Sequence, residues 1–150
     1  MRVVIQRVSE AAVKIDRTIV GEIQHGLLVL LGIETEDQEG DADYLVQKIS
    51  NLRIFSDADG KMNLSVQDVG GQFLVVSQFT LHASTRKGHR PSYIRAARPE
   101  EAIPLYEYFV AELQKISASE VQTGRFGADM QVALVNDGPV TIIMDSKGEL

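Results

Sequence analysis

The chain contains no cysteine. That removes disulfides and thiol nucleophiles, and it weakens any zinc reading. Long apolar runs are missing too. The longest, Leu27 to Leu31, falls far short of the ~20 residues that a bilayer-spanning helix needs. The opening Met1-Arg2-Val3-Val4-Ile5 lacks the apolar stretch and small-residue cleavage site of an export signal. The expected setting is therefore the cytoplasm, with no membrane contact. Acidic residues vanish over one long internal stretch: from Val69 to Pro99 there is no Asp or Glu, although the net charge of the chain is −6. That stretch holds Arg86, Lys87, Arg90, Arg95 and Arg98. The negative total argues against a general nucleic-acid binder. The local positive potential suits a phosphate-bearing ligand that touches one face only, or else a solvated loop paired with acids elsewhere.

What is present fits one domain over residues 1–150, with 44% hydrophobic residues to build a core. Met1 to Val8 reads as a strand. Ala12 to Ile15 and Thr18 to Ile23 read as a hairpin turning at Asp16-Arg17. Gly26 to Ile33 is apolar throughout, as in a strand buried on both faces. Asp41 or Asp43 is placed to cap a helix running to about Phe55, with Tyr44, Leu45, Lys48, Ile49 and Leu52 along one stripe. Asp57-Ala58-Asp59-Gly60-Lys61 opens like a calcium loop, but the later ligands are missing, so it reads as a turn. Phe73 to Phe79 is a Val-rich strand, and Leu81 to Ala97 a basic loop. Pro99 begins a helix with Glu100 and Glu101 in its first turn, ending near Ile116. Met130 to Val135 and Val140 to Met144 read as two strands of a final hairpin, ahead of a polar tail. Strands outnumber helices and hairpins dominate. The expected fold is α+β: a curved, mostly antiparallel sheet or open β-barrel with two helices packed outside.

Two motifs carry chemistry. Ser77-Gln78-Phe79-Thr80-Leu81 sits where a strand runs into a loop. It offers two hydroxyls and an amide. If the strand ends there, the main-chain amides of Phe79 and Thr80 are free to face a ligand oxygen, as in an oxyanion hole. Asn136-Asp137-Gly138-Pro139-Val140-Thr141 lies between two strands. Proline fixes its own φ and has no N–H to give to a ladder. A cis bond at this proline would turn both neighbouring carbonyls one way, toward an ammonium group; the alternative is an ordinary Gly-Pro turn. His82 is positioned to serve as a base, but no carboxylate lies near it in sequence. Three scattered histidines, His25, His82 and His89, make a poor metal set. No metal and no organic cofactor are expected.

The two motifs together, with Val4-Ile5-Gln6-Arg7-Val8 and Thr85-Arg86-Lys87-Gly88-His89-Arg90-Pro91-Ser92, resemble the D-aminoacyl-tRNA deacylases over essentially the whole chain. The resemblance implies a cytosolic homodimer that hydrolyses the ester joining a D-amino acid, or glycine, to the terminal adenosine of tRNA. It places a Gly138-cis-Pro139 loop in the cleft of the partner subunit, where it grasps the α-amino group and excludes L side chains. Ser77, Gln78, Phe79 and Thr80 would line the ester site, with the Phe79 and Thr80 amides as oxyanion donors. Arg7 would hold the Gly-Pro loop of the other subunit, with Asn136 and Thr141 supporting it. The 2′-hydroxyl of the RNA would assist the attacking water; a covalent Thr80 is the competing view.

The residues read alone agree with this. An aminoacyl ester is already activated, so positioning and charge stabilisation suffice without a strong base. Arg86, Lys87 and Arg90 suit the phosphates of a single-stranded CCA end, with Phe79 or Tyr93 for adenine stacking. No DNA partner is expected. Three rivals remain: an esterase with a Ser or Thr nucleophile, a non-catalytic nucleic-acid-binding module, and a structural dimer without turnover.

Overall fold

A computed structural model describes residues 1–148 and 150. The strands are β1 (Arg2–Ile15), β2 (Thr18–Ile23), β3 (Gly26–Gly32), β4 (Phe55–Ser56), β5 (Met62–Leu64), β6 (Gln72–Ser77), β7 (Gln122–Thr123) and β8 (Gln131–Asp145). The helices are α1 (Glu39–Asn51) and α2 (Pro99–Ile116). The main sheet runs β2-β1-β3-β6-β7, with β8 on β1. Its two ends curl toward each other: a Cβ added at Gly21 of β2 would lie 2.5 Å from the Thr123 carbonyl oxygen of β7. The result is a sheet nearly closed into a barrel, with both helices on its outside, as the sequence suggests.

β1 organises this curvature. What reads as two strands in sequence is one bent strand. Its first half, Arg2 to Val8, pairs with β3, and its second half, Ala11 to Ile15, pairs with β2. Register irregularities against β8 between Gln6 and Glu10 shift its side-chain parity. Val3 and Ile5 therefore pack under the helices, while Val8, Ala11 and Val13 fill the opposite face. The turn to β2 uses Asp16 and Arg17, both at positive φ, which is the twist a two-residue hairpin requires.

β3 and β6 are parallel, which the hairpin-dominated reading did not anticipate. Parallel neighbours need a crossover. Here α1 and the β4–β5 hairpin provide one, and α2 provides the next, to β7. Both strands are buried on two faces. Leu27, Val29, Leu31, Phe73 and Val75 face the helices, and Leu28, Leu74 and Val76 face the other side.

α1 begins earlier than expected. Gln38 is the cap, and Asp41 acts from inside the first turn, where its carboxylate accepts the Gln38 amide at 2.9 Å. The helix stops at Asn51, which frees Phe55 to enter β4 fully buried. Its buried stripe is Ala42, Leu45, Val46 and Ile49, while Tyr44 and Lys48 lie outside, the ammonium over the ring. Asp57 forms a turn, as expected: Oδ1 accepts the amides of Asp59 and Lys61. Among the described residues, no helix is long and apolar enough to cross a membrane.

Candidate active site

β6 ends at Ser77, two residues short of the expected Phe79. The Gln78 amide donates to the Leu31 carbonyl at 2.8 Å, and the chain then winds into one 3-10 turn, Phe79–His82. The first bond of that turn runs from the Leu81 amide to the Gln78 carbonyl, 3.2 Å. The amides of Phe79 and Thr80 precede it and lie outside the turn's own ladder. The turn packs directly on the end of β3. A Cβ added at Gly32 would lie 2.9 Å from both the Gln78 carbonyl oxygen and Leu81 Cβ.

The back of the turn is anchored by charge. Arg2 donates to the Leu81 carbonyl at 2.9 Å. His82, 3% exposed, donates from Nε2 to the Gly32 carbonyl at 3.0 Å, and its Nδ1 lies 3.1 Å from Glu34 Oε2. Burial holds the His82 imidazole below its ordinary value, against the opposite pull of the Gly32 carbonyl and of Glu34. His82 thus fastens the turn from behind. As a general base for the cleft it is misplaced, because both ring nitrogens face into the protein. Glu34 also accepts from Arg95 at 2.9 Å, so one carboxylate ties the turn to the basic segment.

The front of the turn forms one wall of a cleft of about 260 Å³. Ser77, Gln78 and Phe79 line that wall, Ala128, Asp129 and Met130 line the other, and the floor is apolar. Thr80 does not line it. Its hydroxyl accepts the Gln78 side-chain amide at 2.5 Å, which links the two side chains of the motif. The Gly127 to Met130 wall escaped the sequence reading. The only local signal is the glycine pair Gly124 and Gly127 just ahead of a strand.

Beyond Phe79 the basic segment forms a finger. Ser84 and Ser92 close its base through two main-chain bonds, 2.8 and 2.9 Å. Arg86, Lys87 and Arg90 are exposed between them. Phe79, half exposed, meets Tyr93 edge-to-face at 5.1 Å, so an aromatic pair joins cleft to finger.

The second motif is not a hairpin loop, contrary to the sequence reading. β8 continues through it, with β1 as its partner on both sides. Gln6 pairs with Thr141 and Val8 with Asn136, so Asp137 to Val140 bud out of the ladder as a bulge. The Gly138–Pro139 bond is cis. Asn136 closes the neck: its Oδ1 accepts the Val140 amide at 2.8 Å, and its Nδ2 donates to Thr141 Oγ1 at 3.2 Å. Arg7 braces the loop from below, donating to the Asp137 carbonyl at 2.8 Å and to the Ile54 carbonyl at 2.6 Å. Within one chain, Arg7 thus holds its own Gly138–Pro139 loop. Gly138 and Pro139 are exposed and do not line the cleft of their own chain. Three strand steps separate β8 from β6, about 14 Å, and the bulge lies about four residues along the strands from Ser77, a further ~13 Å.

The cleft thus joins an apolar floor to a polar strand end, with no cysteine in the chain and His82 turned away behind the turn. A family model described as D-Tyr-tRNA(Tyr) deacylase matches residues 4–145. The chain is 65% identical to a D-aminoacyl-tRNA deacylase of Akkermansia muciniphila over 98% of both chains. It is 62% identical to one of Porphyromonas gingivalis over 97% of both. Among solved structures, it is similar to a c-Myc DNA unwinding element binding protein, with TM-score 0.92, 41% identity, and coverage of 97% of this chain and 98% of that one. A probable eukaryotic D-amino acid tRNA deacylase, 16% identical with TM-score 0.79, shares the fold. The chain belongs to the D-aminoacyl-tRNA deacylase family, hydrolases that cut an ester bond.

Proposed function

We propose that the cleft hydrolyses the ester of D-aminoacyl-tRNA, and of glycyl-tRNA, as a homodimer in which each subunit's Gly138–Pro139 loop enters the partner's cleft. One observation carries the reading: the loop is exposed, braced by Arg7 and Asn136, and absent from the lining of its own cleft. A second copy can use it. β8 supports this. Among the described residues its outer edge has no partner strand, and Val135 and Ile143 stand exposed along it. A fixed main chain near Cα would reject the L side chain by steric contact, while its carbonyls accept the α-ammonium.

In the reaction, water attacks the ester carbonyl carbon. The developing oxyanion would be received by the Phe79 amide at the cleft wall, with the Thr80 amide next to it in the chain. The C–O bond to the ribose breaks, the ribose oxygen takes a proton, and free amino acid and tRNA leave. Assistance from the neighbouring 2′-hydroxyl fits a site whose histidine is buried behind it. Phe79 and Tyr93 would stack on the terminal adenine, and Arg86, Lys87 and Arg90 would follow the phosphates outward. Thr80→Ala should retain measurable turnover, since that hydroxyl orients Gln78; a trapped acyl-enzyme on Thr80 would refute this.

The test offers D-Tyr-tRNA and L-Tyr-tRNA to the purified protein. Rapid release from the D substrate alone is expected, and equal hydrolysis of both, or of neither, overturns the reading. A second reading, a nucleic-acid-binding module without catalysis, is favoured by one finding: the likeness to a solved c-Myc DNA unwinding element binding protein. It requires tight DNA binding that survives substitution of Gly138 and fails when Arg86, Lys87 and Arg90 become Ala, with no turnover of any aminoacyl ester.

A further inference from the structure

Opposite charges stand at the cleft and beyond it. Among the described residues, Asp129 is the single charged one lining it. Its position is set by a turn in which the Ala128 amide donates to the Arg125 carbonyl at 3.2 Å, with Gly127 at φ +78°. That φ suits glycine far better than an L residue. Asp129 is exposed, and among the described residues its carboxylate makes no hydrogen bond or ion pair. This distinguishes it from Glu34 and Asp37, whose oxygens are occupied by His82, Arg95, Lys147 and the Met1 ammonium. Across the cleft, past Phe79 and Tyr93, stand the exposed cations Arg86, Lys87 and Arg90.

An aminoacylated RNA end has the same polarity. Its α-ammonium is the only cation, and its phosphates lie on the far side of the ribose. We infer that Asp129 is a specificity-determining residue that attracts the α-ammonium of the bound aminoacyl group, so that the ester enters with its amine toward the Asp129 wall and its phosphates toward the finger. The inference rests on the deacylase reading and adds to it a contact from the subunit that owns the cleft. A carboxylate over an apolar floor keeps more of its attraction than one in open water, because the local dielectric is lower. The reversed pose would set phosphate against carboxylate and ammonium against three cations.

The test separates charge recognition from turnover. Two non-hydrolysable ligands, 3′-D-tyrosylamino-3′-deoxyadenosine and its N-acetyl derivative, are titrated by calorimetry into the wild type and Asp129→Asn. The wild type should prefer the free amine. In Asp129→Asn that preference should shrink about fivefold, the order of one part-exposed ion pair, with affinity for the N-acetyl ligand unchanged. With D-Tyr-tRNA the variant should show a raised KM and a preserved kcat. An unchanged preference, an equal loss for both ligands, or a wild type that does not distinguish them overturns the inference. A wild type that prefers the amine ligand yet leaves D-Tyr-tRNA uncut overturns the deacylase reading and leaves the role of Asp129 standing.

Discussion

Gly32→Ala should disable the cleft while sparing the fold. Gly32 ends β3, and its backbone lies in a region open to any residue, so the effect of a methyl there is steric. The new Cβ would stand 2.9 Å from Leu81 Cβ, 2.9 Å from the Gln78 carbonyl oxygen and 3.1 Å from His82 Cδ2. Carbon atoms rest at about 3.5–4.0 Å, so Leu81 must retreat by roughly 0.6–1.1 Å. It cannot retreat alone. Gln78 is pinned to Leu31, Leu81 to Arg2 and His82 to Gly32 itself, so the whole turn carrying the Phe79 and Thr80 amides must move. Overpacking of this kind costs about 1–3 kcal/mol of stability. A catalytic group misplaced by about 1 Å costs on the order of 100-fold in rate. We expect a fall in kcat on D-Tyr-tRNA of roughly 30- to 100-fold, together with a lowered urea midpoint. A variant with wild-type kcat would show that the position of this turn does not govern catalysis, and the oxyanion assignment would fall with it.

Gly40 offers the contrasting case. Nothing lies within 4 Å of a Cβ added there, in the first turn of α1, so Gly40→Ala should stabilise by up to about 0.5–1 kcal/mol with activity unchanged; a lowered urea midpoint would contradict the description of that turn. Arg7→Met removes both donors from the Asp137 and Ile54 carbonyls. It should cost about 2–4 kcal/mol and weaken discrimination between D- and L-Tyr-tRNA; a loss below ~0.5 kcal/mol with intact selectivity would release Arg7 from its bracing role. His82 predicts a pH dependence. Its folded pKa lies below the unfolded one, so the folded chain binds fewer protons between the two values. Stability should therefore fall as pH drops below about 6.5 toward the lower folded value, and hold steady above 7. His82→Gln should flatten that slope in urea midpoints taken at several pH values, although Glu34, Lys147, Arg95 and Arg2 still surround the site; an unchanged slope would assign it to another group.

The parts of this protein most legible in its sequence obey local rules. Gly26 to Ile33 is apolar at every step because β3 is buried on both faces, and α2 starts at Pro99 where the sequence places it. The Ser77 motif is legible because a strand rich in Val must stop before a polar turn. The misreadings have a common cause, since each depends on a neighbour distant in the chain. β1 reads as two pieces because its parity changes between Val8 and Glu10, where β1 takes two steps against one step of β8, a partner some 130 residues away. Asp129 gives no signal because its loop becomes a cleft wall only when β7 comes beside β6.

A second irregularity in the same pairing underlies the proposed division of the site. Gln6 to Val8 faces a longer stretch of β8, from Asn136 to Thr141, so the surplus chain must leave the ladder, and the sheet can only expel it outward. The expelled segment holds Gly138, whose φ of +149° and close approach to Val140 and Arg7 leave no room for a Cβ. It is anchored at the neck by Asn136 and below by Arg7, on the strand farthest from the Ser77 turn along the β8-β1-β3-β6 path. A loop that only ended a bulge would need neither anchor, because exposed bulges tolerate mobility. Rigidity at a distance from the subunit's own cleft has a use when a second subunit brings its cleft to the loop. Mixed dimers therefore discriminate. In a heterodimer of one subunit carrying Gly32→Ala and one carrying Arg7→Met, the intact cleft belongs to the Arg7→Met subunit, and the intact loop to the Gly32→Ala subunit. Exchange in trans joins these two in one working site, so the heterodimer should show D-selective turnover at about half the wild-type rate per dimer, while the Gly32→Ala homodimer stays slow and the Arg7→Met homodimer poorly selective. If the loop acted within its own chain, the intact cleft would keep the weakened loop, and the heterodimer would be no more selective than the Arg7→Met parent.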